Sequence, residues 1–285
     1  MKKRTISRAG KGTSMTKARL AMICASLFLG SLALCEGVAI AQTPAQKTEV
    51  KPEAKVEIKP EVLSLLKLAT ESYRKMKSYR HTAVWSLTAK RDIGQPIQEE
   101  LKFTLALDRP NKFAYKMDTS PVLFSPAAAV SDGSFFINFK GDRKQYTKTA
   151  APATFKGINI VDDVEFQPIG TYLIALMLQG DALADKDILK AMGHATLGGT
   201  VSEGGKKWQV ISMPFGSEET PYQVYFNAED HLIGKVLQMG SVRIIENIES
   251  VKIDKPIEAS VFAYALPATA KQVEKFVVLL RPNDA

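Results

Sequence analysis

Apolar and polar residues alternate from Leu101 onward. Leu101, Phe103, Leu105 and Leu107 take one phase, Lys102, Thr104 and Asp108 the other. A period of two predicts a strand with one buried and one wetter face. The same reading predicts strands at about His81–Ala89, Ile97–Asp108, Lys112–Asp118, Ala127–Ser131, Phe135–Phe139 and Gln145–Lys148. After an interruption it predicts strands at about Ala195–Val201, Lys207–Met213, Gln223–Phe226, Leu232–Gln238 and Val242–Ile253. Asp132-Gly133, Glu203-Gly204-Gly205 and Asn227–Asp230 supply turns between them. This spacing belongs to an antiparallel meander and not to βαβ units.

Helical periodicity appears in three places. Pro60 opens the first helix, with Val62, Leu65, Leu66, Ala69, Tyr73 and Met76 on one face. Ile169–Leu178 is apolar nearly all round, between Pro168 and Gly180, which predicts a helix buried on more than one side. Asp185 can cap a further short helix ending near Gly193. Thr269–Leu280 suits a helix or a strand equally well. The fold class is therefore α+β, a curved antiparallel sheet with helices laid on it.

Three short motifs punctuate the first strands: Arg109-Pro110-Asn111-Lys112-Phe113, then Val130-Ser131-Asp132-Gly133, then Gln145-Tyr146-Thr147. Their order resembles that of the periplasmic outer-membrane lipoprotein carriers and receptors, the LolA/LolB-like superfamily, and more narrowly a predicted-periplasmic branch of it. The resemblance covers most of the chain after Lys59. It implies a half-open β-barrel closed by a helical lid over an apolar cavity. In the carriers an arginine and an aromatic follow the motif phenylalanine, and the arginine helps hold the lid shut. Here those positions are Ala114 and Tyr115. The missing arginine implies a lid held by apolar packing, and weakens the case for lipoprotein cargo in particular.

Charge alters the picture only at the amino terminus. The 285-residue chain carries a formal net charge of +8. Residues 1–41 hold seven Lys or Arg against Glu36, a net of +6, which leaves +2 for the rest. That remainder has no electrostatic footprint for nucleic acid. The basic start, the apolar run Leu20–Leu34 and Ala39-Ile40-Ala41 predict a secretory signal cleaved before Gln42. A membrane anchor and a lipidated Cys35 are the alternative readings. Both cysteines, Cys24 and Cys35, fall in this segment, so the mature chain has no thiol chemistry. Residues 42–59 are rich in Lys, Glu and Pro and read as a disordered linker, leaving residues 60–285 as a single LolA/LolB-like domain.

Candidate chemistry is sparse. Ser64-Leu65-Leu66-Lys67 matches S-x-x-K, but Ser131-Asp132 is followed by Gly133 and no K-T-G accompanies it. Asp162, Asp163 and Glu165 cluster in a loop without a calcium-loop pattern. His81, His194 and His231 match no ligand spacing and read as surface or cap residues. The expectation is a non-enzymatic periplasmic protein with no catalytic residue, metal or cofactor. It would bind a lipid, a lipidated polypeptide or another hydrophobic compound, with transient membrane contact and an envelope protein as a further partner. A partner-sensing module and, more distantly, a serine hydrolase are the alternatives. Candidate cavity residues are Trp85, Phe103, Tyr115, Phe135, Tyr172, Leu173, Leu176, Met177 and Phe226.

Overall fold

The computed structural model describes residues 57–90, 95–118, 124–160, 168–180, 182–183, 186–214, 220–240 and 242–276. All of these lie in one compact unit formed by Val56–Pro214 and Glu219–Ala285. The predicted signal, most of the linker, Asp185 and the Asp162, Asp163, Glu165 loop lie outside the described residues.

The strands are β1 (Ser78–Ala89), β2 (Ile97–Asp108), β3 (Lys112–Met117), β4 (Ala127–Ser131), β5 (Phe135–Lys140) and β6 (Gln145–Ala150). They continue with β7 (Thr196–Glu203), β8 (Lys206–Met213), β9 (Tyr222–Asn227), β10 (Ile233–Met239), β11 (Val242–Ile253) and β12 (Lys271–Gln272). They form one open sheet in the order β12-β6-β5-β4-β3-β2-β1-β11-β10-β9-β8-β7. Every pairing is antiparallel except β12 with β6. Two meanders, β1–β6 and β7–β11, are joined by the seam between β1 and β11, in register from Tyr79 opposite Ile253 to Ala89 opposite Val242. A bulge in β11 opposite Thr82 and Ala83 interrupts that seam, the kind of irregularity that bends and twists a strand. Within Thr269–Leu280 the described residues form a two-residue strand at Lys271–Gln272, and the residues after 276 are outside the described set.

Alternation assigns the two faces. Tyr79, His81, Ala83, Trp85, Leu87 and Ala89 of β1 are buried, and the residues between them are only partly so. Register carries this phase across: His81 lies opposite Leu105, and Leu105 opposite Tyr115. The helices cover this inner face. The outer face of β2–β5 is covered differently. Ala106, Ala114, Ala128, Val130 and Phe139 pack under Val261 and Phe262, with Ile257, Tyr264 and Leu266 beside them. The chain after β11 thus lies as a strap across the back of the sheet. Three alanines in neighbouring strands allow it to approach closely.

This overturns the expectation drawn from Ala114. Ala106, its register partner, and Ala114 itself face the strap, away from the helices. An arginine here could not reach the lid side.

Helix α1 (Pro60–Arg74) begins with proline and buries Val62, Leu65, Leu66, Ala69 and Tyr73. Ser64 and Lys67 are both exposed to solvent. Helix α2 (Ile169–Gln179) buries nine of its residues and stops at Gly180, whose φ of 81° gives the left-handed cap that glycine favours. Helix α3 (Lys186–Gly193) buries Ile188, Ala191 and Met192. No helix among the described residues is long and apolar enough to cross a membrane.

Ala114→Arg should overpack the strap interface and destabilise the protein by roughly 1–3 kcal/mol. Limited proteolysis should then cut between Lys255 and Gln272 before it cuts the sheet.

Candidate functional site

A helix as apolar as α2 has no polar face to orient it, and its first N–H groups need acceptors. Pro168, its N-cap, offers no side-chain bond. The acceptor comes from the sheet. Glu246 of β11 takes the Gly170 N–H at 2.7 Å, the Thr171 N–H at 2.8 Å and the Thr171 hydroxyl at 2.6 Å. A carboxylate at this position also complements the positive end of the helix dipole. The approach is so close that a Cβ on Gly170 would lie 2.8 Å from Glu246 Oε2 and 2.9 Å from Val236 Cγ2. Glycine is therefore required at position 170 by space, not by backbone conformation.

The opposite end of α2 is held by the motif arginine. Arg109 donates through Nη2 to the Leu178 carbonyl at 2.8 Å and through Nε to the Met76 carbonyl at 2.9 Å. A weaker contact of 3.4 Å reaches the Arg74 carbonyl. One guanidinium thus satisfies carbonyls at the carboxyl-terminal ends of both α1 and α2. The helix predicted to be held by apolar packing alone meets a carboxyl group at its amino end and a guanidinium at its carboxyl end.

Glu246 also ends a buried hydrogen-bond chain. Tyr73 accepts the Ile233 N–H at 3.0 Å and shares a hydrogen bond with the Tyr79 hydroxyl. The Tyr79 hydroxyl lies 3.0 Å from His81 Nδ1. His81 Nε2 lies 3.5 Å from Thr171 Oγ1, which donates to Glu246. With Tyr79 as donor, Nδ1 is the acceptor and the ring proton sits on Nε2, pointing at Thr171. His81 is fully buried, which corrects its reading as a surface or cap residue. Burial lowers its pKa from 6.5 to about 3. Burial raises that of Glu246 from 4.5 to about 7, against the opposing pull of its three hydrogen bonds. Tyr79 and Tyr115 are pushed up by burial, and the Glu246 charge adds to both.

The sequence motifs around β3 meet in space and bind one another. The Asn111 amide donates to the carbonyls of Gly133 and Pro152, both at 3.0 Å. Ser131 Oγ donates to the Asn111 carbonyl at 2.7 Å. Asp132 Oδ1 accepts the N–H groups of Ser134 and Phe135, and Gly133 takes φ 97°. Pro110, after a cis peptide bond, accepts the Phe155 N–H at 2.8 Å, and the Phe113 and Phe155 rings stack at 5.0 Å. Gln179, the last residue of α2, donates to the Phe155 and Ile158 carbonyls. These motifs therefore build the end of the sheet that receives α2.

A family model described as "Predicted periplasmic protein (DUF2092)" matches residues 63–276. The chain belongs to the DUF2092 family. That description agrees with the periplasmic location expected of the amino-terminal segment. No curated protein sequence matches it. Among solved structures it is similar to an uncharacterized conserved protein from Thermus thermophilus, at 11% identity and a TM-score of 0.41, covering 75% of this chain and 98% of that one. It is similar to LprF from Mycobacterium bovis, at 9% and 0.35, covering 75% and 99%. It is also similar to a LolA superfamily protein from Nitrosomonas europaea, at 9% and 0.30, covering 71% and 97%. At such identities and scores these likenesses say nothing of what the DUF2092 chain binds.

In this DUF2092 protein, Trp85, Phe103 and Tyr115 lie buried on the inner face of three adjacent strands, and Phe103 and Tyr115 stack at 6.0 Å. Phe226 is buried on β9, and Leu173, Leu176 and Met177 on α2, where Tyr172 is half-buried. Phe135 is a correction. It is 47% exposed, with Lys148 Nζ 4.1 Å from its ring centroid. The Phe135-Phe136 pair suits either phase, and pairing of Phe136 with Ser131 turns Phe136 inward. Among the described residues no three His, Cys, Asp or Glu gather as metal ligands.

The sequence reading passes over Glu246 and places His81 at the surface, although a signal for burial exists at both. Glu246 shares its phase with Ile244 and Ile248, and His81 shares its phase with Tyr79 and Trp85. An ionisable residue in the apolar phase of a strand is a buried-network candidate.

Opposing pH dependences follow from the two buried groups. The unfolded chain protonates His81 first, so that contribution is present above pH 6.5 and is lost as pH falls towards 3. The folded protein holds a proton on Glu246 that the unfolded chain releases, so that contribution is present below pH 4.5 and is lost as pH rises to 7. The slopes offset each other between 4.5 and 6.5. Urea unfolding across pH should be nearly flat there for the wild type. Glu246→Gln should gain stability with rising pH and His81→Gln should lose it, each by at most about 1.4 kcal/mol per pH unit. Arg109→Ala should cost about 1–3 kcal/mol by leaving helix-end carbonyls unpaired.

Proposed function

We propose that this protein reversibly binds the apolar part of a lipid, a lipidated polypeptide or another hydrophobic compound. The ligand lies on the inner face of an open half-barrel, with the helices as its lid. No catalytic step and no cofactor is involved. This is what the LolA/LolB-like resemblance implies for Trp85, Phe103, Tyr115, Phe226 and the α2 residues Tyr172, Leu173, Leu176 and Met177.

One observation carries the reading. Helix α2 has eleven residues and is about 16 Å long. Strands β1, β2 and β11 have twelve residues each and span about 40 Å. The carboxyl end of α2 is fixed at Arg109, and its amino end at Glu246, which stands opposite Trp85. The inner face continues past that point through Leu87, Ala89, Ile97 and Ile244, with the buried Glu99 opposite Leu87 among them, beyond the length that α2 spans. An acyl chain there gains about 0.8 kcal/mol for each methylene buried. Loosening of the Glu246 contacts would free the amino end of α2 and open the route for transfer.

Ala127, on the inner face opposite Met117, offers a test. If ligand space lies in front of it, Ala127→Trp fills that space. The melting temperature should then stay close to wild type while binding of a fluorescent fatty acid falls at least tenfold. If side chains already fill the region, the same change should cost about 1–3 kcal/mol, and the wild type should bind no probe. Native mass spectrometry of protein taken from the periplasm should find a co-purifying lipid or other apolar compound.

A further inference from the structure

The outer face of β11, β1, β2 and β3, beside the strap, carries a different set of side chains. Register places Ser250, Thr82, Thr104 and Lys116 in one row across the four strands. On one side of that row Lys252 stands directly opposite Arg80, and on the other Lys102 continues the basic border. Like charges opposed across two strands cost stability unless something neutralises them. The nearby acids are engaged or leave the patch positive. Asp108 pairs with Lys112 at 4.0 Å, and Asp254 accepts the Lys77 and Ser78 N–H groups. Asp118 lies beside Lys102, with exposed Glu100 further along β2 and exposed Glu249 at the β11 bulge, and the four cations outnumber these three acids. Among the described residues Arg80, Lys102, Lys116 and Lys252 form no ion pair. Lys116 donates to the Ala263 carbonyl of the strap at 2.7 Å, which fixes its ammonium over the sheet with donors to spare. Burial lowers the Lys116 pKa, and the Arg80 charge lowers it further, so the two cations feel each other across Ala106.

We infer that this hydroxyl-and-cation patch is where the protein docks on an anionic membrane surface, its phosphate headgroups taking the place of the missing counter-charges. The four strands spread the cations over about 14 Å of a flat sheet face. That breadth matches an array of headgroups and exceeds a single phosphate. The charge is local, because the chain beyond residue 41 has a net of only +2. The site is on the opposite face from the proposed ligand site and does not depend on it.

The test uses protein purified from the periplasm. It is sedimented with vesicles of phosphatidylcholine, and with vesicles of phosphatidylcholine and phosphatidylglycerol in equal parts. Binding is expected only to the anionic vesicles, and should disappear in about 1 M salt, where the screening length is near 3 Å. Lys252→Gln and Lys102→Gln, both at exposed positions, should each weaken it about fivefold. Lys252→Glu should weaken it further while raising the melting temperature, since the new carboxylate faces Arg80. Equal binding to neutral vesicles, or unchanged binding in the lysine variants, would overturn the inference. So would displacement by inorganic phosphate at matched ionic strength, which would mark a small-anion site instead. Fatty-acid probe binding in the same variants reports separately on the inner face.

Discussion

The Glu246 carboxylate, buried under the amino end of α2, is the contact on which the arrangement of sheet and helix rests. An apolar helix can slide or rotate on an apolar sheet at little cost, because dispersion contacts are not directional. Two backbone N–H groups and one hydroxyl converging on a single carboxylate are directional. The cost is desolvation of an acid, visible in its raised pKa. The return is a defined register between α2 and strands that are distant from it in the chain. Arg109 does the same at the other end, and it also ties α1 to α2.

The chain from Tyr73 through Tyr79, His81 and Thr171 to Glu246 links α1, β1, α2 and β11. It crosses the sheet at the seam where the two meanders meet. Buried polar networks of this kind bring geometric specificity when every member is satisfied and are costly when one is removed. The opposite pKa displacements of His81 and Glu246 leave this network with little net pH dependence in the mildly acidic range.

The two faces of the sheet are covered by different means. Helices lie on the inner face, where Gly170 permits the closest approach. A carboxyl-terminal strap lies on the outer face, where Ala106, Ala114 and Ala128 permit another. Beyond the strap the outer face turns from apolar to hydroxylic and basic. The proposed apolar ligand and the proposed membrane contact therefore fall on opposite faces of one sheet.

Much of the fold was legible in the sequence, because strand alternation and helical spacing are local signals. Ile97–Asp108, Ala127–Ser131 and Val242–Ile253 have the predicted bounds, and the turn at Gly133 and the cap at Gly180 take the positive φ that their neighbours implied. Alternation also decides which residues share a face. It cannot decide which face meets the helices, so Phe135 was assigned to the inner face and Phe136 was not. Nor can it supply contacts between residues far apart in the chain. Glu246 meets Gly170 across 76 positions, and Thr171 meets His81 across 90. The short motifs were visible, but their meaning was not: Arg109 is a clamp on two helix ends and Ala114 a floor for the strap. Those roles follow from strand order and from the β1–β11 pairing, and only the folded chain determines them.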